Sequence, residues 1–223
     1  KPLNDNEAFK QDGDPLAVRD RIMRIYGPGG YESIAPDDLN GRFRWWGLYT
    51  QRKQGIDGGR TARLDASELS DRYFLQRVRL DGGSLSRKQL RVLGSVSNDF
   101  ARGTADITDR QNIQYHWIEI ENVPEIWARL EAVGLTTLEA CGDSPRPFLG
   151  SPVAGVAKDE IIDATKAIEK IQQIVTDEEF QNLPRKFKSA ISGNSRQDVV
   201  HEVNDLAFIG VEHPELGAGP RVV

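Results

Sequence analysis

An alternating segment near the middle of the chain most constrains how this protein folds. Polar and apolar residues take turns there, the polar ones being Asn112, Gln114 and His116 and the apolar ones Ile113, Tyr115 and Trp117. Successive side chains of a β-strand point to opposite faces of a sheet. We therefore expect the apolar residues to pack in a core and the polar residues to form a row on the other face. A polar row contributes little to packing, so we predict that it meets a polar ligand.

The sequence around this strand predicts a strand–helix–strand–helix order. A first strand is expected at residues 73–80, then a helix at 90–100 capped by Ser84 or Ser86, the alternating strand at 112–120, and a helix from Pro124 to Gly134. This order is typical of half of a ferredoxin-like α+β unit. The fold class predicted for the whole chain is α+β, with such a half-domain followed by the start of an α/β domain.

The flanking segments divide the chain into three expected parts. Upstream, the pattern predicts a helix at 15–26 with Val18, Ile22 and Ile25 in one apolar row, then a long irregular arm at 31–69. Downstream, it predicts a helix over 161–171 and a strand at 206–211. The expected boundaries give an N-terminal helix and wrapping arm at 1–68, a ferredoxin-like half-domain at 69–137, and the start of an α/β domain at 138–223.

Composition limits the classes of function. The net charge of −5 argues against non-specific nucleic-acid binding. No stretch approaches the roughly 20 apolar residues of a membrane span, and residues 1–7 lack the apolar core of a signal peptide. We therefore expect a cytoplasmic protein with neither nucleic acid nor membrane as a partner. A single cysteine excludes an internal disulfide, a Cys-based zinc site and a full set of Cys cluster ligands within this chain.

Four collinear motifs resemble those of the sirohaem-containing sulfite and nitrite reductases. In chain order they are GRFRWWGLYTQR at 41–52, TDRQNIQYH at 108–116, ACGD at 140–143 and PRKFK at 184–188. The resemblance implies an α/β domain that binds sirohaem, coupled to a [4Fe-4S] cluster whose cysteine ligands lie in a C-terminal half. Nothing in this chain resembles that half. By resemblance, the chain is an N-terminal half without metal ligands of its own, and we expect it to be inactive alone.

The resemblance also implies roles for individual residues. Sulfite and nitrite are small oxyanions, which suit the fixed bidentate donors of arginine and the compact ammonium of lysine. The catalytic residues implied are Arg77, Arg146, Lys186 and Lys188. The sirohaem contacts implied are Arg42, Arg44, Arg110, Gln111, Asn112, Gln114 and His116. Two further residues, Tyr49 and Cys141, are candidates for the pocket wall. In an extended segment, both lysine ammonium groups would lie on one side and Phe187 would turn inward.

Plainer interpretations exist for several of these residues. Arg77 and the two lysines, taken alone, are typical of solvated surface charges. His116 could be a strand histidine that donates to a backbone carbonyl. Cys141 could be a buried, inert thiol. The family motifs, and not the spacing, favour the functional roles.

Three functions follow from the resemblance. The leading hypothesis is ferredoxin-dependent reduction of sulfite to sulfide, with reduced ferredoxin and the missing C-terminal half as partners. The first alternative is reduction of nitrite to ammonia; Lys188 favours sulfite, because plant-type nitrite reductases tend to have Asn there. The second alternative is a non-catalytic module that binds sirohaem or serves as a structural partner. Residues 42–63 are locally basic, and we call them the basic arm; with Arg60 and Arg63 they are a candidate docking surface for acidic ferredoxin.

Overall fold

Two four-stranded sheets form the framework of the protein. The computed structural model describes residues 9–57, 59–194, 196 and 198–223, and both sheets lie within them. The strands are β1 (Leu48–Arg52), β2 (Ser70–Val78), β3 (Asp106–Ile107), β4 (Ile113–Ile118), β5 (Leu149–Gly150), β6 (Ser189–Ser192), β7 (Leu206–His213) and β8 (Gly217–Val222).

Six helical segments and several short 3₁₀ turns connect the strands in the described part of the chain. The helices are α1 (α-helical at Val18–Arg21, π-helical at Ile22–Tyr26, α-helical again at Gly27–Gly29), α2 (Pro36–Asn40), α3 (Ala66–Leu69), α4 (Arg87–Phe100), α5 (Val123–Glu131) and α6 (Thr165–Val175). The 3₁₀ turns are Phe9–Asp12, Pro15–Ala17, Tyr31–Ser33, Arg42–Trp46, Thr61–Arg63, Ile120–Asn122, Glu178–Phe180 and His201–Val203. The mixture of helix and sheet confirms the predicted α+β class.

The first sheet is antiparallel, with strand order β1-β2-β4-β3. Helices α4 and α5 cover one face of it, and their apolar residues share a core with the strands. Ser86 caps α4, since its hydroxyl accepts from the Gln89 backbone N–H and the Gln89 side chain accepts from the Ser86 N–H. This core leaves the opposite face of the sheet free to carry polar groups.

Strand β4 departs from the predicted alternation at its end. Phe74 lies opposite Ile118, whereas Gln76 lies opposite Tyr115, so β4 contains one residue more than β2 over this interval. Such a bulge reverses the faces of the residues that follow it. Trp117 takes a positive φ of 59°, and Ile118 instead of Trp117 is fully buried. The prediction that Trp117 packs in the core was therefore wrong; its ring lies 4.8 Å from the guanidinium carbon of Arg102.

Helix α1 buries a different row from the one predicted. Val18, Ile22 and Tyr26 are buried, whereas Ile25 is 52% exposed. The π-helical turn at Ile22–Tyr26 is wider than an α-helical turn, so residues four apart stay on the same face. The helix then continues through Pro28 and ends before Gly30, whose φ of 73° suits glycine.

The arm at 31–69 is more regular than predicted. It contains α2, a 3₁₀ turn at Arg42–Trp46, and β1, which pairs with β2 as an edge strand. Only Leu48 within β1 is buried, so the strand lacks the alternation that would have revealed it. The arm therefore belongs to the first sheet and does not merely wrap it.

The second sheet has strand order β5-β6-β7-β8, with β8 antiparallel to the other three. Helix α6 packs on it through Ile168, which with Ala164, the residue before the helix, meets Phe148 and Ile191. The helix begins at Thr165, later than predicted, because the backbone N–H groups of Ile161 and Ile162 donate to the Gly193 carbonyl instead of entering a helix. Strand β6 was missed, since its sequence Ser-Ala-Ile-Ser is short and polar although all four residues are buried.

Candidate functional site

Three arginines from three different segments lie together beside the polar face of the first sheet. Arg77 is on β2, Arg110 is in the turn before β4, and Arg146 is in the loop that follows α5. Burial lowers the pKa of Arg110, and the positive charge of nearby Arg146 lowers it further. The charges of Arg77 and Arg146 both lower the pKa of the Tyr49 hydroxyl, so both guanidinium groups lie near that hydroxyl. We call Arg77, Arg110 and Arg146 the arginine cluster.

Each guanidinium of the arginine cluster has a buried Nε–H without a hydrogen-bond partner among the described residues. A buried donor without a partner costs about 1–3 kcal/mol, and more when it is charged. Three neighbouring cations also repel one another. The arrangement therefore fits an anionic ligand that accepts from these groups and neutralises their charge.

Arg77 is held by a row of polar side chains that crosses the sheet. Its Nη2 donates to Gln114 Oε1 at 2.8 Å, and Gln114 Nε2 lies 3.1 Å from His116 Nε2. His116 Nε2 in turn lies 2.9 Å from Asp106 Oδ2 on β3. Gln114 and His116 thus form the polar row that the alternation predicted, and the row ends at Arg77.

Arg110 and Arg146 are anchored through their Nη atoms. Arg110 Nη1 donates to Asn204 Oδ1 at 2.7 Å, and its Nη2 donates to the Pro147 carbonyl at 2.9 Å. Arg146 Nη1 donates to the Ala140 carbonyl at 3.3 Å. Arg110 Nη2 also lies 3.2 Å from the Ser189 carbonyl of β6, so Arg110 ties the turn before β4 to the loop after α5 and to the second sheet. The arginine cluster therefore lies where the two halves of the chain meet.

Tyr49 and Cys141 lie next to the arginine cluster. Burial and, to a smaller extent, the neighbouring Cys141 thiol raise the pKa of the Tyr49 hydroxyl to about 12, against the opposing charges of Arg146 and Arg77. Cys141 is fully buried. Both candidates for the pocket wall are therefore brought to the cations, and the Tyr49 hydroxyl is protonated at neutral pH.

Four residues that were predicted to contact sirohaem have other partners in the structure. Arg42 Nη1 donates to Asp38 Oδ1 at 3.0 Å, and Arg44 donates to the backbone carbonyls of Asn40 and Gly41. Gln111 bonds both ways with the Gly150 backbone. Asn112 is 2% exposed, and its Oδ1 accepts from the Leu80 N–H at 3.0 Å.

The two lysines lie in an extended segment beside the arginine cluster. The Phe187 carbonyl accepts from the Arg146 N–H at 2.8 Å, which places this segment against the loop of Arg146. Lys186 is exposed, and Lys188 Nζ donates to the Val203 carbonyl at 2.5 Å. Phe187 is 40% exposed, so the prediction that it turns inward was wrong.

Sequence reasoning missed a buried ionic group next to this site. Arg79 lies between Asp81 and Glu139, and the exposed fractions of the three side chains are 1%, 3% and 0%. Burial, together with the charge of Asp81, raises the pKa of Glu139 to about 7, although Arg79 opposes the rise. No local pattern in the sequence marks Glu139 as the partner of Arg79.

Two negative findings apply to the described residues. Among them, no group of three or more His, Cys, Asp or Glu side chains is placed to hold a metal ion. No helix in the described ranges combines the length and apolar character needed to cross a membrane.

Two family models match the chain. Residues 68–133 match the nitrite/sulfite reductase ferredoxin-like half domain, and residues 141–222 match the nitrite and sulphite reductase 4Fe-4S domain. The solved structure of the Mycobacterium tuberculosis NirA protein aligns with a TM-score of 0.93 and 58% identity, covering 100% of this chain and 40% of that one.

Curated relatives give the same grouping. Sulfite reductase (ferredoxin) 2 of Mycolicibacterium paratuberculosis is 61% identical over 98% of this chain, and a ferredoxin–nitrite reductase of Leptolyngbya laminosa is 35% identical over 93% of it. The chain spans 39% and 38% of the lengths of these two relatives. With two domain models of one family on consecutive parts of the chain, and close relatives that bear the family's names, the chain belongs to the nitrite and sulfite reductase family.

Proposed function

We propose that the full-length protein reduces sulfite to sulfide with electrons from reduced ferredoxin, and that this chain supplies the anion-binding side of the active site. The observation that carries the proposal is the arginine cluster, whose three buried Nε–H groups have no partner among the described residues. A small oxyanion offers several acceptor oxygens to such donors. The names of the relatives support the same activity, since the more similar ones are called ferredoxin-dependent sulfite reductases.

Sirohaem is part of the proposal, because the donors of this chain suit a ligand with many carboxylates. Arg110, Gln114 and His116 would hold carboxylates of the tetrapyrrole, and Gln111 would position the neighbouring turn. Arg42 and Arg44 would join them only by exchanging their present partners. When bound, sirohaem coupled to a [4Fe-4S] cluster would supply electrons to the anion at its iron. The cysteines that ligate the cluster would come from the missing C-terminal half.

The protein's own residues would bind the anion and deliver protons to it. Arg77 and Arg146 would contact its oxygens, since arginine stays charged and donates in a fixed geometry. The Tyr49 hydroxyl, protonated at neutral pH, and the ammonium groups of Lys186 and Lys188 would serve as proton donors. For Lys188 this requires leaving the Val203 carbonyl.

Comparing two substrates tests this proposal. With reduced methyl viologen as the electron donor, the full-length protein should show a higher kcat/KM for sulfite than for nitrite. The reasons are Lys188 and the 61% identity to a sulfite reductase, against 35% to a nitrite reductase. A strong preference for nitrite would contradict the sulfite assignment and leave the family assignment intact.

A spectrum separates both enzymatic functions from a non-catalytic module. The visible absorption of the purified full-length protein should show bound sirohaem, and the spectrum should shift when sulfite is added. A protein without this absorption, before and after anaerobic incubation with sirohaem, would favour the structural module. The same measurement on residues 1–223 tells whether this part alone binds the tetrapyrrole.

A cytoplasmic location belongs to the proposal, because a reducing compartment suits a low-potential electron donor.

The basic arm is the proposed docking surface for ferredoxin. Arg60 and Arg63 are exposed and lie in an arm segment with a local excess of positive charge. Reversing both charges, Arg60→Glu with Arg63→Glu, should raise KM for ferredoxin about tenfold, since complementary charge assists the encounter of two proteins. Activity with methyl viologen should stay unchanged. Arg24→Glu, at another exposed position, is the matched control, and an equal rise in KM there would remove the specific docking surface.

A further inference from the structure

A buried ionic triad ties the loop of Arg146 to the first sheet. Arg79 makes a two-point contact with Asp81, with Nε–Oδ2 at 2.9 Å and Nη2–Oδ1 at 3.2 Å. Its Nη1 donates to Glu139 Oε2 at 2.9 Å. We call Arg79, Asp81 and Glu139 the buried triad. The other carboxylate oxygen, Glu139 Oε1, is buried without a partner among the described residues. Charged groups are rarely buried to this extent, so a triad that spans two distant segments needs a structural or functional reason.

The buried triad makes contacts with both ends of the loop 139–148. Glu139 forms the first end. At the other end, the Pro145 carbonyl accepts from the same Arg79 Nη1 at 3.1 Å, and Asp81 Oδ1 accepts from the Phe148 N–H at 2.7 Å. One guanidinium nitrogen therefore bridges the start and the end of the loop.

The loop between these two ends carries Cys141, which lies next to the arginine cluster, and Arg146, which belongs to it. Cys141 follows Glu139 by two positions, and Arg146 follows the bridged Pro145 carbonyl directly. The Arg146 guanidinium donates to the Ala140 carbonyl, next to Glu139. Any opening of the loop at Arg79 would therefore shift both the backbone of Arg146 and the acceptor of its side chain.

The charges of the buried triad also suit its position next to the arginine cluster. Arg79 lies two residues after Arg77 on the same strand segment, so both side chains are on the same face of the sheet. Asp81 brings negative charge close to the cations of the cluster, since its charge acts on Arg110. This charge offsets part of their mutual repulsion without occupying the Nε–H groups, which remain available for an anion.

We propose that Arg79 and Glu139 are positioning residues that hold the loop 139–148 closed and thereby fix the guanidinium of Arg146 for the oxyanion. As far as it concerns the oxyanion, this inference rests on the proposed function. The closure of the loop is independent of that function and can be measured without a turnover assay.

Two measurements on the full-length protein test the proposal. Hydrogen exchange followed by mass spectrometry reports the closure of residues 139–148, and a sulfite titration of the visible spectrum reports anion binding. Glu139→Ala removes the contact at one end of the loop. Arg79→Lys keeps the positive charge but loses the guanidinium that bridges the two ends. We expect exchange in this loop to become at least about tenfold faster in both variants. The dissociation constant for sulfite should rise by about tenfold or more, at unchanged sirohaem content, because small displacements of a binding group are costly.

Tyr115→Phe is the matched control. It removes a buried hydrogen bond to the Leu93 carbonyl in the core of the same sheet, on the face away from the cluster. It should leave loop exchange and sulfite binding within about twofold of the unmodified protein, which separates positioning from general destabilisation. Glu139→Gln keeps the shape and the acceptor oxygen of Glu139, and should restore most of the protection that Glu139→Ala loses.

The outcomes are distinct. Unchanged loop exchange in both Arg79→Lys and Glu139→Ala overturns the proposal, as does an equal change in Tyr115→Phe. Faster exchange with unaltered sulfite binding overturns the link to Arg146. If the unmodified protein neither binds nor reduces sulfite, the proposed function fails, while the exchange data still decide whether the triad closes the loop. If Arg79→Lys does not fold, the comparison of Glu139→Ala with Glu139→Gln gives the same decision.

Discussion

Replacing Arg146 with lysine should lower kcat/KM for sulfite about a hundredfold in the full-length protein. The Arg146 guanidinium is anchored through Nη1 on the Ala140 carbonyl and presents a buried Nε–H without a partner in the described structure. A lysine ammonium cannot make both contacts at once, although it keeps the charge. Removing one partner of a buried charged contact costs about 2–5 kcal/mol, and a hundredfold corresponds to about 3 kcal/mol. Steady-state kinetics with reduced methyl viologen measure this loss.

Arg129→Lys is the control for that substitution. Arg129 lies on the surface of α5 and pairs with Glu125 and Asp99. Its replacement should leave kcat/KM within about twofold, because exposed ion pairs contribute little. If Arg146→Lys behaved like Arg129→Lys, the arginine cluster would not be the anion site.

Gly47→Ala should destabilise the protein by about 3 kcal/mol or more. Gly47 has a φ of +71°, a conformation that costs other L-residues roughly 1–2 kcal/mol. A Cβ at this position would also meet the Arg77 carbonyl at 2.5 Å and the Thr137 carbonyl at 3.0 Å. Both are backbone atoms, so the strand that carries Arg77 would have to move. Overpacking of this kind costs about 1–3 kcal/mol beyond the backbone strain.

Gly134→Ala separates the two causes. Gly134 has the same φ of +71°, but a Cβ there meets no atom within 4 Å. It should lose only about 1 kcal/mol, the cost of the backbone conformation. Urea unfolding of both variants provides the comparison, with the midpoint of Gly47→Ala well below that of Gly134→Ala. Equal losses of stability in the two variants would show that a Cβ at Gly47 does not clash with the β2 backbone at Arg77.

Periodicity predicted the helices and strands that pack a continuous core. The apolar residues of β2, α4 and α5 repeat at the spacing of their element, because one face of each is buried in the same core. The polar row also followed from the sequence, since Gln114 and His116 keep the period of β4. The bulge before Ile118 did not follow, because it depends on how β4 registers with β2.

The placement of single side chains could be predicted only in part. The resemblance to the family marked Arg77, Arg110 and Arg146, and the fold brings these three together from distant segments. Glu139 could not be found in this way, since its partner Arg79 lies 60 positions away and the sequence around it is an ordinary turn. Sequence also suggested cofactor contacts for Arg42, whose pairing with Asp38 four residues earlier is typical of a structural ion pair.

The most direct test of the account is a crystal structure of the full-length protein with sirohaem and sulfite bound. We expect oxygens of the anion to accept hydrogen bonds from Arg77 and Arg146, and carboxylates of the tetrapyrrole to meet Arg110. The Nε–H groups that lack partners in the described chain would then be paired. A sulfite bound elsewhere, with these three Nε–H groups still unpaired, would contradict the assignment of the arginine cluster as the anion site.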